Sequence, residues 1–291
     1  MRLVTYVTAG EERPGALVSH DGADRLVDLG PLAPRLLDVL VDEDTLAAAR
    51  HAVRTADLAA LPLAADVRLA PPVRPRTMLA VGYNYEGHRG PAAPAAPTVP
   101  NIFVKTPGTL SGPHDPVPLP AVPAEVDYEG EIAVVIRRRA RHVSEADALA
   151  HVAGYTLFND VTARDWQHAT SQWTLGKCFD GFAQLGPAIV TVDDAGELDG
   201  VTLEVERDGI VTARATTAQM VFTVARLVHL LSQVMTLEPG DVIATGSAAK
   251  LPEASAAHVP LADGDAVNIT ATGLGSLTTR FIAPTTPGET S

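Results

Sequence analysis

Two glutamates run directly into an unbroken β-branched stretch. In Asp127-Tyr128-Glu129-Gly130-Glu131-Ile132-Ala133-Val134-Val135-Ile136 nothing polar follows Glu131, so the segment reads as a strand entering a core. Residues two apart on a strand project to one face, which sets Glu129 and Glu131 side by side. An acidic pair on a strand is more often a solvated face, but such a face alternates with apolar residues and this one does not. Two carboxylates held that close repel unless a positive charge lies between them. A hard divalent cation is the simplest candidate, with Asp160 of Asn159-Asp160-Val161-Thr162-Ala163-Arg164-Asp165 as a third oxygen ligand. An all-oxygen set with no His or Cys beside it favours Mg²⁺, Mn²⁺ or Ca²⁺ over Zn²⁺ or Cu²⁺.

Three carboxylates and one dication leave the site at −1, so an anionic substrate would need cations nearby. The chain as a whole carries no surplus of them, at a net charge of −13. That charge argues against nucleic acid or an anionic membrane as partner. Lys105, Arg164 and Lys177 are the local cations that could offset it; otherwise Arg164 and Asp165 form a surface pair worth little and the lysines are merely solvated. A length of 291 residues, 46% of them hydrophobic, suits a sizeable core in one large domain or two. The single cysteine, Cys178, excludes an internal disulfide, fits a reducing cytoplasm, and lacks the context of a nucleophile. The N-terminus lacks the apolar core of a signal peptide, and no apolar run is long enough to span a bilayer. The expected location is therefore cytoplasmic.

Residues 1–68 read as a small N-terminal α/β unit. Leu3–Val7, Ala16–His20 and Arg25–Asp28 are its expected strands, and Leu36–Val41 and Thr45–Val53 its helices. A linker over 69–77 follows, where three prolines remove donors and fix the backbone. The region 78–284 is mostly strands and turns, and 285–291 is a tail. Ser144 is expected to cap a helix reaching about His151, and Thr223 one that buries Val224, Leu227, Val228, Leu231, Val234 and Met235. Strands are expected over Val242–Gly246, Ala266–Ala271 and Leu277–Ile282. The Pro- and Ala-rich stretch from Gly90 to Pro100 is either a lid or a plain surface loop.

Val81-Gly82-Tyr83-Asn84-Tyr85-Glu86-Gly87-His88 resembles the opening motif of the fumarylacetoacetate hydrolase family. The likeness continues through Phe103-Val104-Lys105, Tyr128-Glu129-Gly130-Glu131, Asn159 to Asp165, Trp173-Thr174-Leu175-Gly176-Lys177, Leu185-Gly186-Pro187 and Pro239 to Gly246. Each motif is weak alone; together, in order over 78–282, they are specific. The resemblance implies an α+β, mainly β fold with a β-roll catalytic domain, a homodimer, and one Mg²⁺, Mn²⁺ or Ca²⁺ held by Glu129, Glu131 and Asp160. It implies a substrate among small anionic 2-oxo acids or β-diketones. Lys177 and Arg164 match substrate-contacting basic residues; Lys105, Gln167, Tyr83, Thr245 and Ser247 fall on other pocket positions. His88 matches the catalytic histidine, although a lone His in a loop is by default a surface residue.

Three departures surround the expected pocket. Many relatives place an acid three residues after the histidine, forming a His–Glu pair that activates water; here that position is Pro91, leaving Glu86 as the nearest substitute. Beyond Gly246, Ser247-Ala248-Ala249-Lys250 replaces the usual Thr-Pro-x-Gly and adds a positive charge. Asp180-Gly181-Phe182-Ala183 stands where Thr and Cys or Ser are frequent. The resemblance therefore implies metal-dependent C–C hydrolysis of an acylpyruvate-like acid, with His88, Lys177 and Glu86 as catalytic groups. Decarboxylation or tautomerisation, which needs only a stabilised enolate, is the alternative. A specialised biosynthetic enzyme or a non-catalytic metabolite-binding relative are further readings.

Overall fold

The computed structural model describes residues 1–88 and 97–284. The expected lid is therefore largely outside the described residues, as are Pro91 and the tail. The strands, in chain order, are β1 Arg2–Thr8, β2 Glu11–His20, β3 Ala23–Asp28, β4 Arg68–Ala70, β5 Met78–Gly82, β6 Asn101–Lys105, β7 Leu110–Ser111, β8 Val117–Pro118, β9 Val126–Asp127, β10 Gly130–Ile136, β11 Val152–Asp160, β12 Thr162–Ala163, β13 Ala183–Thr191, β14 Thr202–Arg207, β15 Ile210–Thr216, β16 Val242–Ser247, β17 Ala266–Ala271 and β18 Gly275–Ile282. The α-helices are α1 Leu36–Val41, α2 Glu43–Thr55, α3 Arg164–His168, α4 Thr174–Lys177, α5 Val192–Ala195 and α6 Val224–Val234.

An α+β, mainly β architecture results. One large sheet runs β3-β2-β1-β13-β11-β10-β16-β5-β6, a second runs β15-β14-β17-β18-β8, and β12 pairs with β9. Every residue of β10 and β11 is buried, which is why their sequences read as apolar runs rather than alternations. The period of two still sorts their side chains. Ile132, Val134 and Ile136 pack in one core with Leu203, Val205 and Ile269 of the second sheet and with Leu227, Val228 and Leu231 of α6. Ala133 and Val135 face a second core with Leu36, Val39 and Leu40 of α1. Burial of these side chains is the main stabilising term, at roughly 1.5–3 kcal/mol for each large aliphatic residue.

The N-terminal α/β part forms the expected strands and helices, and it is knit to the remainder. Arg2 pairs with Val190 and Leu3 with Ile189, so β1 extends the large sheet. Its helices pack on the sheet that carries the acidic residues. The expected linker begins inside β4, since Leu69 and Ala70 pair with Tyr6 and Thr5.

Two helix expectations need correction. Ser144 Oγ does accept from Asp147 N at 3.2 Å, but only a turn follows, and the helical segment is a short 3₁₀ stretch over Ala148–His151. The chain enters β11 at Val152, so a full α-helix has no room to propagate. In α6, Thr223 caps as expected, accepting from Arg226 N at 3.3 Å, but Val234 is 74% exposed because the helix ends there, past the edge of the core. Among the described residues no helix is long and apolar enough to cross a membrane.

Candidate active site

The acidic residues meet because β10 and β11 run antiparallel, with Gly130 opposite Asn159. The start of one strand thereby lies beside the end of the other. Glu129 immediately precedes β10, and its carbonyl accepts from Asp160 N at 2.9 Å, which fixes the two chain segments together. Gly130 is needed between the glutamates because the second sheet passes close by: a Cβ there would stand 2.4 Å from Val205 Cγ2. Carboxylate oxygens of Glu129, Glu131 and Asp160 lie within 4.8 Å of one another. Glu131 and Asp160 are buried; Glu129 is mostly so. Three converging carboxylates, with no nitrogen or sulfur ligand in the cluster among the described residues, fit a hard divalent cation.

Around them runs a chain of alternating charge. Lys105 Nζ lies 2.5 Å from Asp160 Oδ1, and Lys177 Nζ lies 2.6 Å from Asp160 Oδ2 and 2.8 Å from Glu129 Oε2. Arg164 continues it, Nη2 to Glu129 Oε1 at 2.7 Å and Nε to Asp127 Oδ2 at 2.9 Å. Lys250 Nζ ends it, 2.5 Å from Asp127 Oδ1. The short helices α3 and α4 supply Arg164 and Lys177. Glu131 stands outside this chain, with Gly246 N donating to its Oε2 at 2.7 Å.

The electrostatics follow from that difference. Burial pushes the Glu131 carboxyl well above its ordinary range, and repulsion from Asp160 and Glu129 adds to it. Burial alone would also raise Glu129, but Arg164 and Lys177 outweigh it and hold that carboxyl well below the usual range. Burial would lower Lys177, yet Asp160 and Glu129 raise it, so it stays charged. Lys105 is lowered, because its complete burial outweighs Asp160.

A prediction arises here. Because the folded-state pKa of Glu131 is raised, its protonation contributes stability that is complete below the ordinary carboxylate range and lost as pH rises through the raised value. A dication bound by the cluster would take the place of that proton. The increase in melting temperature on adding Mn²⁺ to EDTA-treated protein should therefore grow as pH rises from 5 to 8. Scanning calorimetry checks this; an increase independent of pH would show that Glu131 does not exchange a proton for the metal.

A cavity of about 380 Å³ opens onto this cluster. Glu129, Arg164, Gln167, Lys177, His88, Tyr83 and Ser247 line it, so most of the expected residues meet in one place. His88 Nδ1 lies 2.9 Å from the carbonyl oxygen of Ser247. A carbonyl only accepts, so Nδ1 carries the proton and Nε2 is left with the free lone pair. Tyr83 stacks edge-on against His88, ring centroids 5.5 Å apart, and against Trp173 at the same distance.

Three expectations change. Glu86 is exposed and does not line the cavity; the group on His88 is a backbone carbonyl, not a carboxylate. Lys105 is 0% exposed and lies behind Asp160, also donating to Val161 O at 3.2 Å, so it supports the cluster instead of facing substrate. Thr245 Oγ1 donates to Ile132 O at 2.8 Å and is structural. Near the end of β16, Gly246 donates its backbone N–H to the Glu131 carboxylate. Gly246 sits there at φ +99°, a conformation glycine tolerates.

Asp127, Trp173, Phe103 and Tyr128 also line the cavity and were not singled out from sequence. Asp127 carried a usable signal: it shares the face of Glu129 by the same spacing of two. The aromatic residues stood in the quoted motifs, but an isolated Phe or Trp in sequence otherwise reads as core.

The family model described as fumarylacetoacetate (FAA) hydrolase C-terminal matches residues 77–282. Over 254 residues the chain is 38% identical to a mitochondrial oxaloacetate tautomerase of Bos taurus, covering 85% of this chain and 81% of the relative. A fumarylacetoacetate hydrolase from psychrophilic Exiguobacterium antarcticum superposes with a TM-score of 0.81 at 35% identity, covering 97% of this chain and 99% of that one. A maleylpyruvate hydrolase from Sphingobium sp. SYK-6, solved with manganese(II) and pyruvate, gives 0.79 at 27% identity, covering 98% and 100%.

Proposed function

The chain belongs to the fumarylacetoacetate hydrolase family, and from that premise we propose that it is a divalent-metal-dependent tautomerase of a small 2-oxo acid, interconverting its keto and enol forms. The observation that carries this reading is the partner of His88. Its Nδ1 is held by a carbonyl oxygen, and no carboxylate partners the ring among the described residues. Residues 89–96 contain no acid either. An imidazolium formed by deprotonating water would lack the adjacent negative charge that stabilises it. Moving a proton already acidified next to a carbonyl asks less of the base.

The residues divide the task. Lys177 spends two of its three N–H bonds on Glu129 and Asp160 and has one left for the substrate carboxylate. Arg164, braced by Asp127, Glu129 and Gln167, presents a fixed guanidinium beside it. His88 Nε2 takes the proton from the carbon next to the 2-oxo group and delivers it to the enolate oxygen to give the enol; the reverse transfer restores the keto form. Tyr83 holds the imidazole edge and is itself braced by Trp173. A dication held by Glu129, Glu131 and Asp160 would supply Lewis-acid stabilisation of the enolate oxygen. Its donor set suits Mg²⁺, Mn²⁺ or Ca²⁺, and manganese(II) in the maleylpyruvate hydrolase supports Mn²⁺ as a first choice.

C–C hydrolysis of an acylpyruvate-like acid is the second reading, favoured by the likeness to that hydrolase. The two separate in one experiment. Enol–keto interconversion of oxaloacetate is followed by ultraviolet absorbance, and release of pyruvate from acylpyruvates and of carbon dioxide from oxaloacetate is assayed in parallel, each with Mn²⁺ and with EDTA. We expect EDTA-sensitive interconversion without cleavage. Pyruvate release would move the assignment to a hydrolase and carbon dioxide to a decarboxylase; inactivity in all three would remove the oxo-acid reading. Homodimerisation is part of the proposal, and light scattering on the purified chain tests it.

A further inference from the structure

The cavity wall after Gly246 carries a cation that the tautomerase reading leaves without a task. Lys250 lines the cavity, is 29% exposed, and ends the alternating charge chain at its open side. Its position is set by the fold and not by a free loop. Leu251 N donates to Thr212 O at 2.8 Å, and Lys250 bridges Ala213 of β15. Its ammonium also lies over the Tyr128 ring, 5.1 Å from the centroid.

The other cations already have tasks. Lys105 is fully buried behind the cavity, Lys177 holds two carboxylates and keeps one N–H for the first substrate carboxylate, and Arg164 holds three acceptors beside it. Among the described residues Lys250 gives one N–H to Asp127, so two of its three remain for a ligand. The charge count points the same way. Lys105, Arg164, Lys177 and Lys250 face four carboxylates, Asp127, Glu129, Glu131 and Asp160. A bound dication leaves a surplus of two positive charges, and Lys250 supplies one of them. A substrate with two negative groups balances that surplus; a monocarboxylate does not.

We propose that Lys250 is a specificity-determining residue that receives the second carboxylate of a 2-oxo dicarboxylic acid, while Lys177 and Arg164 hold the first. This rests on the oxo-acid reading of the cavity and names its substrate class. Exchange of the Lys250 ammonium between Asp127 and the incoming carboxylate leaves Asp127 paired with Arg164, so no buried charge is stranded.

The test is calorimetric titration of the Mn²⁺-loaded protein with oxaloacetate and 2-oxoglutarate as dicarboxylates and pyruvate as monocarboxylate. Wild type should prefer the dicarboxylates. In Lys250→Met that preference, the ratio of dissociation constants, should fall by about tenfold or more, the scale of a charged hydrogen bond. Lys250→Arg should keep most of it, and Lys250→Gln replaces the methionine variant if that does not fold. A preference unchanged in the neutral variants, or already absent in wild type, would overturn the assignment of Lys250 while leaving the oxo-acid reading standing. Binding of none of the three acids by wild type would remove that reading and the proposal with it.

Discussion

Glu131→Gln is expected to abolish metal-dependent turnover while making the metal-free protein more stable. The two effects have one cause. Among the described residues Glu131 is the member of the acidic cluster with no lysine or arginine on its oxygens; Gly246 N–H is its partner. Burial and the charges of Asp160 and Glu129 oppose its ionisation, so its charged form is tolerable only beside a dication. An amide keeps the Gly246 hydrogen bond through its carbonyl oxygen and removes the repulsion. The melting temperature in EDTA at pH 8 should rise by a few degrees, and Mn²⁺ should no longer raise it. Turnover should fall at least about 100-fold, since even groups behind metal ligands cost about 10- to 100-fold when lost. Full activity, or a lower melting temperature in EDTA, would show that Glu131 is neither a ligand nor under repulsive load.

Lys177→Met should have the opposite effect on stability. The ammonium is shared by Glu129 and Asp160 and also stands 4.7 Å from the Phe103 ring centroid. Methionine fills the aliphatic volume but leaves two buried carboxylates without their common cation. Breaking a buried pair of this kind costs roughly 3–5 kcal/mol. Denaturant unfolding in EDTA measures the loss. Mn²⁺ should restore part of it, because the dication neutralises the same carboxylates, but not turnover, because the N–H reserved for the substrate is gone. Recovery of activity with metal would assign Lys177 a purely structural role. Lys177→Arg separates charge from shape: a planar guanidinium cannot reach both carboxylates in the same geometry, so stability should return further than activity.

The acidic cluster was legible because its members sit at informative positions in the sequence. Glu129 and Glu131 are two apart at the mouth of an apolar strand, and Asp160 closes the next one. Their carboxylates converge because antiparallel pairing puts Gly130 opposite Asn159, a consequence of two buried strands in sequence neighbourhood. His88 was legible through the surrounding motif. Glu86 was misassigned because spacing along a loop does not specify which way a side chain faces, and the backbone carbonyl of Ser247, from a strand far away in sequence, took the place expected of a carboxylate. Lys105 was correctly grouped with the cluster but on the wrong side of it, since burial depth on an edge strand is set by what packs over it.

Two readings follow from the sequence alone: a buried strand over Ile132–Ile136, and an acidic set suited to a hard cation at its start. Both rest on local pattern, where strand periodicity and charge repulsion act between residues near in sequence. The order of the charge chain from Lys105 to Lys250, the carbonyl on His88, and the placing of Lys250 in the cavity wall were decided by tertiary structure. Each joins residues on different strands or helices, and a contact of that kind forms only when both sheets are folded around the shared core.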